Sequence, residues 1–472
     1  MKKNKIKQIP SYVAGEYIKN NNLRLINDFN NNPHFEICEP TYWDIEASIS
    51  NATITQNELK NIPLEKIINV LKTTMDHYFN DQKKYNDIIL TSGSPKSFVI
   101  NGMEYIKNWC KNIDKYLDNA LPLGKEKYNS SSPVFAILPS NSEQESLYVI
   151  SQIMASKNSG IIRPSSRGPG AYTAHEFIKS LNKTINDLKD NDLEPLRKSI
   201  SIINYSNKEH LEQLSIPKWN YILFGSDNSV QIIKEEIENK CKNTDVLEEP
   251  RNIITYNSGL SKSIIFPDSN LETTVNKVLD SVISNNGNEC VSTDIIYVHN
   301  DIYDSFNNLF LKKSNKIKSG NPFDINKIGL LMPHNIDTIL KVIGEKGHID
   351  YINYNIEDNK ILIHPSLIKL HKYDNTHEYP GPIAGIRSFK TQEELIKLVD
   401  FDNKVNMKEK NLSTSVYTSN IKNYNEIKPY LQTFSCSLNI PTHEVDLMQE
   451  HQGIYLVKEL VNKPILDRRK YE

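Results

Sequence analysis

The sequence predicts an α/β protein that contains a doubly wound parallel sheet followed by a second α/β domain. The alternation of strand and helix patterns predicts this fold class, and a cysteine in a loop adds a prediction about function. From residue 133 onward, short apolar runs alternate with segments whose apolar residues recur at helical spacing, the order that is typical of parallel sheets covered by helices. In addition, Cys290 stands in a loop between a helical pattern and an alternating, β-branched run, and such loops commonly carry reactive side chains.

Composition restricts the class of protein. At 472 residues the chain can bury a sizeable core and should hold two or more domains. The net charge of −2, from 56 Lys and Arg against 58 Asp and Glu, indicates neither a nucleic-acid partner nor an anionic membrane surface. No apolar run approaches the length of a membrane span, and the basic N-terminus lacks the apolar region of a signal peptide. We therefore expect a soluble, cytoplasmic protein.

The cysteines indicate a reducing compartment. They are scattered, without a CxxC pair or a histidine at zinc-site spacing, which argues against a disulfide framework and a structural metal. The five positions are Cys38, Cys110, Cys241, Cys290 and Cys436.

The first 130 residues predict packing helices. Residues 1 to about 60 give only short strand-like pieces and turns. Asn61 is then predicted to cap a helix with Pro63 in its first turn, and a second helix is predicted over about 103–117. The apolar residues of the first helix recur at helical spacing: Leu64, Ile67, Ile68, Leu71 and Met75.

Strands alternate with helices from residue 133. The predicted strands are 134–138, 161–162, 201–204, 221–224 and 252–256. Three strand ends carry small or polar residues, namely Ser140-Asn141, Ser165-Ser166 and Gly225-Ser226. Because ligands bind such sheets at the carboxyl ends of the strands, these residues predict a cofactor site, although the sequence has no GxGxxG motif.

The cysteine region follows the same strand and helix order. A strand over 262–266 and a helix from Leu271 precede the loop, and a strand from Ile295 to His299 follows it. A thiol in such a loop can attack a carbonyl carbon. Free cysteine is also commonly an inert core residue, so the loop alone leaves both interpretations open.

The run from Ser261 to Phe306 resembles the cysteine region of the aldehyde dehydrogenase superfamily. It contains Phe-x-Asp after a strand, a helix, an Asn-Gly turn, the cysteine, a Val-His strand end and a helix opening with Ile-Tyr. The sequence Cys290-Val291-Ser292-Thr293 with Ile296-Tyr297 most resembles the LuxC-type long-chain acyl-thioester reductases of bacterial luminescence operons.

The resemblance implies an aldehyde-dehydrogenase-like fold with four regions. These are an N-terminal segment with packing helices (1–130), a nicotinamide-cofactor-binding domain (131–254), a catalytic domain (255–440) and a C-terminal tail (441–472). It also implies that Cys290 is the nucleophile and that Asn141 donates to the oxyanion. The alternative for Asn141 is that it closes a β-turn, where Asn is common.

The resemblance assigns cofactor roles to the strand ends. The second one aligns with Lys-Pro-Ser-Glu, whose Lys and Glu hold the adenosine ribose, and here it reads Arg163-Pro164-Ser165-Ser166. Ser166 does not repel a ribose 2′-phosphate, and Arg163 and Arg167 could pair with one. NADPH is therefore expected, with NADH as the alternative; the alternative for both arginines is a solvated surface position. Ser140, Gly225 and Ser226 are expected near the cofactor.

Two further positions depart from the superfamily. Tyr256 stands where oxidising members have the Glu that activates water, and a tyrosine with a pKa of about 10 cannot be that base at neutral pH. Glu289 is expected to be structural. Glu378 matches a ribose-binding Glu, but the Phe that supports the nicotinamide is replaced by Pro380. Gly329-Leu330-Leu331 resembles a Gly-Pro-Leu of the superfamily.

The resemblance implies that a fatty acyl-CoA or acyl-carrier-protein thioester is reduced to an aldehyde through an acyl-cysteine at Cys290. It also implies a homo-oligomer, and it leaves open an acyl-transferring partner enzyme. Two alternatives remain, an aldehyde-oxidising dehydrogenase and a non-catalytic relative that keeps the fold.

Overall fold

Strands and helices alternate through most of the described chain. The computed structural model describes residues 6–165, 168–205, 209–242, 249–324, 327–328, 354–357, 360–376, 378–379, 381–405 and 410–462. The predictions for Ser166, Arg167, Pro380 and 329–331 lie outside these residues.

The strands of the described ranges are numbered in chain order: β1 Lys7–Ile9, β2 Ser11–Val13, β3 Glu16–Ile18, β4 Leu23–Asn27, β5 Pro33–Cys38, β6 Asn129–Ser130, β7 Val134–Ile137, β8 Gly160–Arg163, β9 Ile200–Ile202, β10 Asn220–Gly225, β11 Asn252–Asn257, β12 Gly259–Ile265, β13 Ile295–His299, β14 Lys318–Ser319, β15 Lys327–Ile328, β16 Tyr354–Glu357, β17 Lys360–Ile363, β18 Ser366–Lys369, β19 Ile383–Phe389, β20 Lys410–Tyr417, β21 Ser435–Leu438 and β22 Val461–Asn462.

The α-helices of the same ranges are α1 Tyr42–Leu59, α2 Leu64–Phe79, α3 Lys83–Ser92, α4 Lys96–Lys111, α5 Ile113–Ala120, α6 Glu143–Ala155, α7 Gly170–Leu188, α8 Glu194–Lys198, α9 Glu209–Gln213, α10 Asp227–Lys242, α11 Leu271–Ile283, α12 Tyr303–Ser314, α13 Gln392–Val405, α14 Ile421–Ile427 and α15 Leu456–Glu459. None of the helices in the described ranges combines the length and the apolarity that crossing a bilayer requires.

The chain divides into two compact units. The first comprises Met1–Ser92, Asn101–Tyr256 and Leu447–Glu472, and the second comprises Gly93–Ile100 and Asn257–Asp446. The domain limits expected from the sequence stay a prediction.

The sheet of the first unit is parallel at its centre. Within the described residues its strand order is β11-β10-β7-β8-β9-β2-β3. Strands β10, β7, β8 and β9 pair in parallel, whereas β2 is antiparallel to β9 and β3. All four residues of β7 are buried, as expected for a strand covered by helices on both faces of a sheet. The predicted doubly wound arrangement is therefore present.

The sheet of the second unit carries the cysteine region. Its order in the described ranges is β18-β19-β13-β12-β20-β21, and all its pairs are parallel. Helix α11 packs its apolar stripe of Val275, Val278 and Val282 against residues of this sheet that include Ile265 and Ile296. Strand β21 forms one edge of this sheet within the described ranges.

The structure corrects the N-terminal expectations. Residues 42–59 form helix α1 rather than strand-like pieces and turns, and α3 was not predicted. Thr41 and Asp44 form a capping box at the start of α1, which is a sequence signal for a helix N-terminus. The buried face of α1 mixes Ile45, Ala52 and Leu59 with Ser48, Thr55 and Gln56, so its apolar periodicity is weak.

Two helix boundaries also differ from the sequence prediction. Asn61 does not cap α2; its N–H donates to the Glu58 carbonyl at 3.1 Å, and Pro63 is the N-cap. The helix predicted over 103–117 is interrupted at Asn112. The Asn112 side chain donates to the Asn108 carbonyl at 2.9 Å, and such bonds compete with the regular helical pattern.

Candidate active site

Residues in a left-handed conformation end the helix before the cysteine loop. After α11, Asn285, Asn286 and Gly287 have φ angles of 45°, 60° and 74°. Asparagine adopts this conformation more readily than most residues because its short side chain can form local hydrogen bonds. The Asn286 side chain donates to the Gly93 carbonyl at 3.3 Å. The Asn-Asn-Gly run thus turns the chain from the helix into the loop.

Only glycine fits at position 287. A Cβ atom there would overlap the carbonyl group of Gly381 and would lie 2.6 Å from the Pro382 nitrogen. These are backbone atoms, so they cannot move aside as a flexible side chain would. The close approach holds the start of the cysteine loop against the segment before β19.

Cys290 lies within a tight turn. The Ser292 N–H donates to the Glu289 carbonyl at 3.0 Å and closes the turn around Cys290 and Val291. The Ser261 hydroxyl donates to the Cys290 carbonyl at 3.3 Å. The Cys290 side chain is half-buried, which leaves it partly accessible, as a reactive thiol must be.

Asp294 holds the strands at the base of this loop. Its carboxylate accepts from the Ser261 N–H at 2.8 Å, and its own N–H donates to the Ser261 carbonyl at 2.9 Å. Its carbonyl accepts from the Gly385 N–H at 2.7 Å. Asp294, the residue that precedes β13, is therefore hydrogen-bonded to both β12 and β19 at the end of the cysteine loop.

Glu289 makes a contact within the loop. Its carboxylate accepts a hydrogen bond from the Ser284 hydroxyl, at the end of α11. The contact agrees with the structural role expected for Glu289.

In the first unit, the three strand ends that were predicted to lie near the cofactor are side by side. Strand β7 is central and pairs with both β8 and β10. Ile137 of β7 is in register with Arg163 of β8 and with Leu223 of β10. The residues that follow these three strands therefore emerge at one edge of the sheet, where ligands of doubly wound sheets bind.

Ser140 and Asn141 connect β7 to α6. Ser140 is exposed and Asn141 is half-buried, and Ser142 is the N-cap of the helix. Two residues after Asn141, Glu143 is almost completely buried, and its Oε2 has no hydrogen-bond partner among the described residues. Burial raises the pKa of Glu143 to about 7. Sequence reasoning missed this residue.

Arg163 and Ser165 follow at the end of β8. The Arg163 guanidinium carbon lies 5.4 Å from the centre of the Tyr205 ring, within cation–π distance. Burial lowers the pKa of Arg163, but an arginine remains charged at neutral pH. Ser165 is buried, and its backbone packs closely against Gly170 at the start of α7.

Gly225 and Ser226 form the third strand end, and both are exposed. The Ser226 hydroxyl donates to the Ser229 hydroxyl at 2.9 Å and accepts from the Ser229 N–H at 3.4 Å. The Ser226 carbonyl accepts from the Val230 N–H at 2.9 Å. Ser226 therefore opens helix α10 directly after the strand.

Tyr256, at the end of β11, is buried. Its ring stacks on Phe224 with centroids 4.5 Å apart and lies 5.2 Å from the His451 ring. Burial raises the pKa of the Tyr256 phenol well above its ordinary value, and the nearby Tyr148 and Glu145 raise it further. The phenol is therefore even less able to act as a base than a tyrosine in water.

His451 and Glu145 make a side-chain contact that the sequence did not predict. The His451 Nε2 lies 3.3 Å from a Glu145 carboxylate oxygen. The two residues are far apart in the chain, so no local pattern could have indicated the contact.

In the second unit, the sequence-predicted Glu378 is half-buried, next to the buried Tyr379.

The described residues contain no group of three or more His, Cys, Asp or Glu side chains that could hold a metal ion. The five cysteines, all of which are described, are thiols rather than disulfides.

Curated relatives of this chain are aldehyde dehydrogenases. The chain is 20% identical to the 3,6-anhydro-alpha-L-galactose dehydrogenase of Vibrio sp. (strain EJY3), with 95% of this chain and 94% of the relative covered. It is 26% identical to the benzaldehyde dehydrogenase YfmT of Bacillus subtilis, with 35% of this chain and 34% of the relative covered. The chain therefore spans about a third of the length of this second relative.

Solved structures share the fold. The glyceraldehyde-3-phosphate dehydrogenase GapN of Methanocaldococcus jannaschii, solved with NADP, superimposes with a TM-score of 0.80 at 17% identity, covering 94% of this chain and 98% of that one. The betaine aldehyde dehydrogenase of Staphylococcus aureus, solved with NAD+, has a TM-score of 0.79 at 17% identity, covering 96% of this chain and 93% of that one.

Two family models match the chain. The model described as "Aldehyde dehydrogenase family" matches residues 222–455. The model described as "Acyl-CoA reductase (LuxC)" matches residues 59–318, more than half of the chain. Both resemblances seen in the sequence are confirmed. The chain therefore belongs to the LuxC acyl-CoA reductase family, and its fold is that of the aldehyde dehydrogenases.

Proposed function

We propose that this protein reduces an acyl thioester, carried by CoA or by an acyl-carrier protein, to an aldehyde, with NADPH as the reductant. The family model and the cysteine loop support this proposal. In it, the Cys290 thiolate attacks the acyl carbon, the carbon–sulfur bond to the donor breaks, and the donor leaves as a thiol after taking up a proton. The acyl group is then held on Cys290 as a thioester.

Asn141 is proposed to stabilise the negative charge on the acyl oxygen. A side-chain amide that donates to such an oxyanion contributes about 3–4 kcal/mol to the transition state. The charge forms when Cys290 attacks and again when the acyl group has been reduced to a thiohemiacetal. The second oxyanion then collapses, the bond to Cys290 breaks, the aldehyde leaves and Cys290 is restored as a thiolate.

The first unit offers residues that fit a dinucleotide cofactor. Three parallel strand ends meet at one sheet edge, with the exposed Gly225 and Ser226 at one of them and the half-buried Arg163 at another. Ser140, Ser165 and, from sequence, Ser166 complete the proposed set in this unit, and the resemblance adds Glu378 of the second unit. When bound, the cofactor supplies the hydride that reduces the acyl group.

The presence of Tyr256 at its position is the observation that favours reduction of the acyl-cysteine over oxidation of an aldehyde. Tyr256 stands where oxidising members of the superfamily have a water-activating glutamate, and it is buried with a raised pKa. Neutral water is a poor nucleophile without a base. An acyl-cysteine that water does not discharge remains available for reduction or for transfer to a thiol.

The competing function is oxidation of an aldehyde to an acid, which the names of the curated relatives favour. The test measures NADPH consumption with acyl-CoAs of increasing chain length, and NADPH formation with the matching aldehydes in the absence of CoA. Acyl-CoA-dependent NADPH consumption with aldehyde as product supports the proposal. Acid production from aldehyde and NADP+ without CoA overturns it.

A further inference from the structure

Successive carbonyl groups around Cys290 are each held by a hydrogen bond. The Glu289 carbonyl accepts from the Ser292 N–H and the Cys290 carbonyl from the Ser261 hydroxyl. The Val291 carbonyl accepts from the hydroxyl of Thr442 at 2.7 Å, the shortest of the three. Because the peptide group is planar and trans, fixing a carbonyl also fixes the N–H of the next residue. The backbone on both sides of the thiol is thus held.

Thr442 is distant from the loop in sequence but buried against it. Its side chain is 2% exposed and contacts a cluster of equally buried hydroxyls. The Thr442 Oγ1 lies 2.5 Å from the Ser281 Oγ and 3.0 Å from the Thr293 Oγ1, which in turn lies 3.0 Å from the Ser263 Oγ. The cluster joins α11, β12 and the residues just before β13.

The number of hydroxyl protons in this cluster determines which hydroxyl donates and which accepts in each hydrogen bond. Each hydroxyl has a single proton to donate, and Thr442 uses its proton on the Val291 carbonyl. Ser281 must therefore donate to Thr442, while Thr293 donates to Ser281 at 3.0 Å and Ser263 can donate to Thr293. The hydroxyl chain runs from Ser263 to Thr442 and ends on the backbone of the cysteine loop.

We propose that Thr442 is a positioning residue for Cys290: as the last donor of this hydroxyl chain, it holds the Cys290–Val291 backbone in the conformation from which the thiol reacts. The proposal rests on the proposed role of Cys290 as the nucleophile. Without the Thr442 hydroxyl, the Val291 carbonyl, which lies in a half-buried residue, would lose this hydrogen bond. A partly desolvated carbonyl without its partner disfavours the present loop conformation relative to others in which the carbonyl is hydrogen-bonded.

Three substitutions test the proposal. Thr442→Val removes the hydroxyl and nearly preserves the shape, and Thr442→Ser keeps the hydroxyl. Thr91→Val is the matched control, because Thr91 is equally buried and its hydroxyl donates to the Asp87 carbonyl in helix α3, in the first unit. If Thr442→Val does not fold, Thr442→Ala removes the same hydroxyl without adding a methyl group beside the carbonyl.

The first measurement is the rate at which iodoacetamide alkylates Cys290, followed by peptide mass mapping. The second is the rate of acylation by acyl-CoA in a single turnover, and the third is the thermal stability of each variant. We expect Thr442→Val to slow both reactions of Cys290 by about tenfold, the equivalent of one lost hydrogen bond. Thr442→Ser and Thr91→Val should react at close to the wild-type rate.

Three results would overturn the proposal. The first is a wild-type rate of Cys290 alkylation in Thr442→Val, and the second is a rate in Thr442→Ser as low as that in Thr442→Val. The third is a lower alkylation rate in Thr91→Val that parallels its loss of stability. Alkylation needs neither acyl-CoA nor cofactor. If Thr442→Val slows alkylation but neither the wild type nor any variant reduces acyl-CoA, the proposed function is refuted. The positioning role of Thr442 is supported all the same.

Discussion

Burial changes what single ionisable side chains of the first unit can do. Tyr256 and Glu143 are both buried, and burial disfavours the charged form of each. For Tyr256 the result is a phenol that stays protonated well above its ordinary pKa. For Glu143, two residues after the proposed oxyanion donor Asn141, the pKa rises to about 7, so this carboxyl changes its charge close to neutral pH.

Glu143→Gln should change the pH dependence of stability. The folded-state pKa of about 7 lies above the ordinary value of 4.5, so the wild-type protein loses stability as pH rises between these values and the loss is complete above about pH 7. A pKa shift of this size corresponds to about 3 kcal/mol of unfolding free energy. The variant should therefore gain stability relative to wild type from about pH 5 to pH 8, as measured by urea unfolding.

The exposed Glu58 provides the control, since Glu58→Gln also removes one carboxylate from the first unit. A stability difference between Glu143→Gln and wild type that stays constant from pH 5 to pH 8 would show that Glu143 ionises in the folded protein as it does in water.

Cys290→Ala should abolish acyl-thioester reduction, by at least a thousandfold, because no other thiol stands in the matching loop. The variant should keep the wild-type melting temperature. Cys436→Ala is the control: Cys436 is also only half-buried, yet it lies on β21, and its loss should leave the rate unchanged. More than a trace of activity in purified Cys290→Ala would refute the assignment of the nucleophile.

At the scale of helices and strands, prediction from sequence was most accurate where apolar periodicity and turn residues indicate the same element. The strands and helix around Cys290 were predicted because apolar periodicity and the Asn-Gly turn coincide there. Helix α1 was missed because polar residues such as Ser48 and Gln56 occupy its buried face, so packing against the rest of the unit, and not apolar periodicity, defines it. The His451–Glu145 pair and the contact of Thr442 with Val291 join distant segments, and no local pattern carries such contacts.

Gly287→Ala tests the junction between α11 and the cysteine loop. The left-handed φ of 74° and the overlap with the Gly381 carbonyl group should together cost about 2–5 kcal/mol of unfolding free energy. Gly225→Ala is a stability control, because a Cβ there would make only ordinary contacts, at 3.5 Å from Val230 Cγ2. It should change the unfolding free energy by less than about 1 kcal/mol. Equal stability of the two variants would contradict the structural requirement for glycine at position 287.

Arg163→Leu tests the cofactor choice at the end of β8. We expect wild type to bind NADPH more tightly than NADH, because Arg163 can pair with the additional phosphate. The substitution should weaken NADPH binding by about tenfold or more and leave NADH binding almost unchanged, since a hydrogen bond to a charged group contributes about 1.5–3 kcal/mol. Fluorescence titration measures both affinities.

Arg197→Leu, on helix α8, controls for the loss of one positive charge; Arg197 pairs with Glu194 at 3.0 Å. Equal weakening of NADPH and NADH by Arg163→Leu, or tighter binding of NADH to wild type, would contradict the predicted preference.

At the scale of the whole molecule, each of the two units is built on a largely parallel sheet and each contributes residues to the proposed chemistry. The fold class followed from strand and helix alternation, and the family followed from one well-matched stretch around the cysteine. The details of cofactor choice did not follow as directly, because they depend on few side chains at strand ends. The proposed chemistry requires that transfer of the acyl group to Cys290 can be separated from its later discharge.

The most direct measurement of this claim is intact-protein mass spectrometry over time after mixing the protein with an acyl-CoA in the absence of reduced cofactor. We expect the mass to rise by one acyl group, located on the peptide that contains Cys290. The adduct should outlast a catalytic turnover, because Tyr256 cannot activate water, and should disappear on addition of NADPH or CoA. Hydrolysis of the adduct as fast as NADPH discharges it would contradict the proposed reduction of an acyl-cysteine.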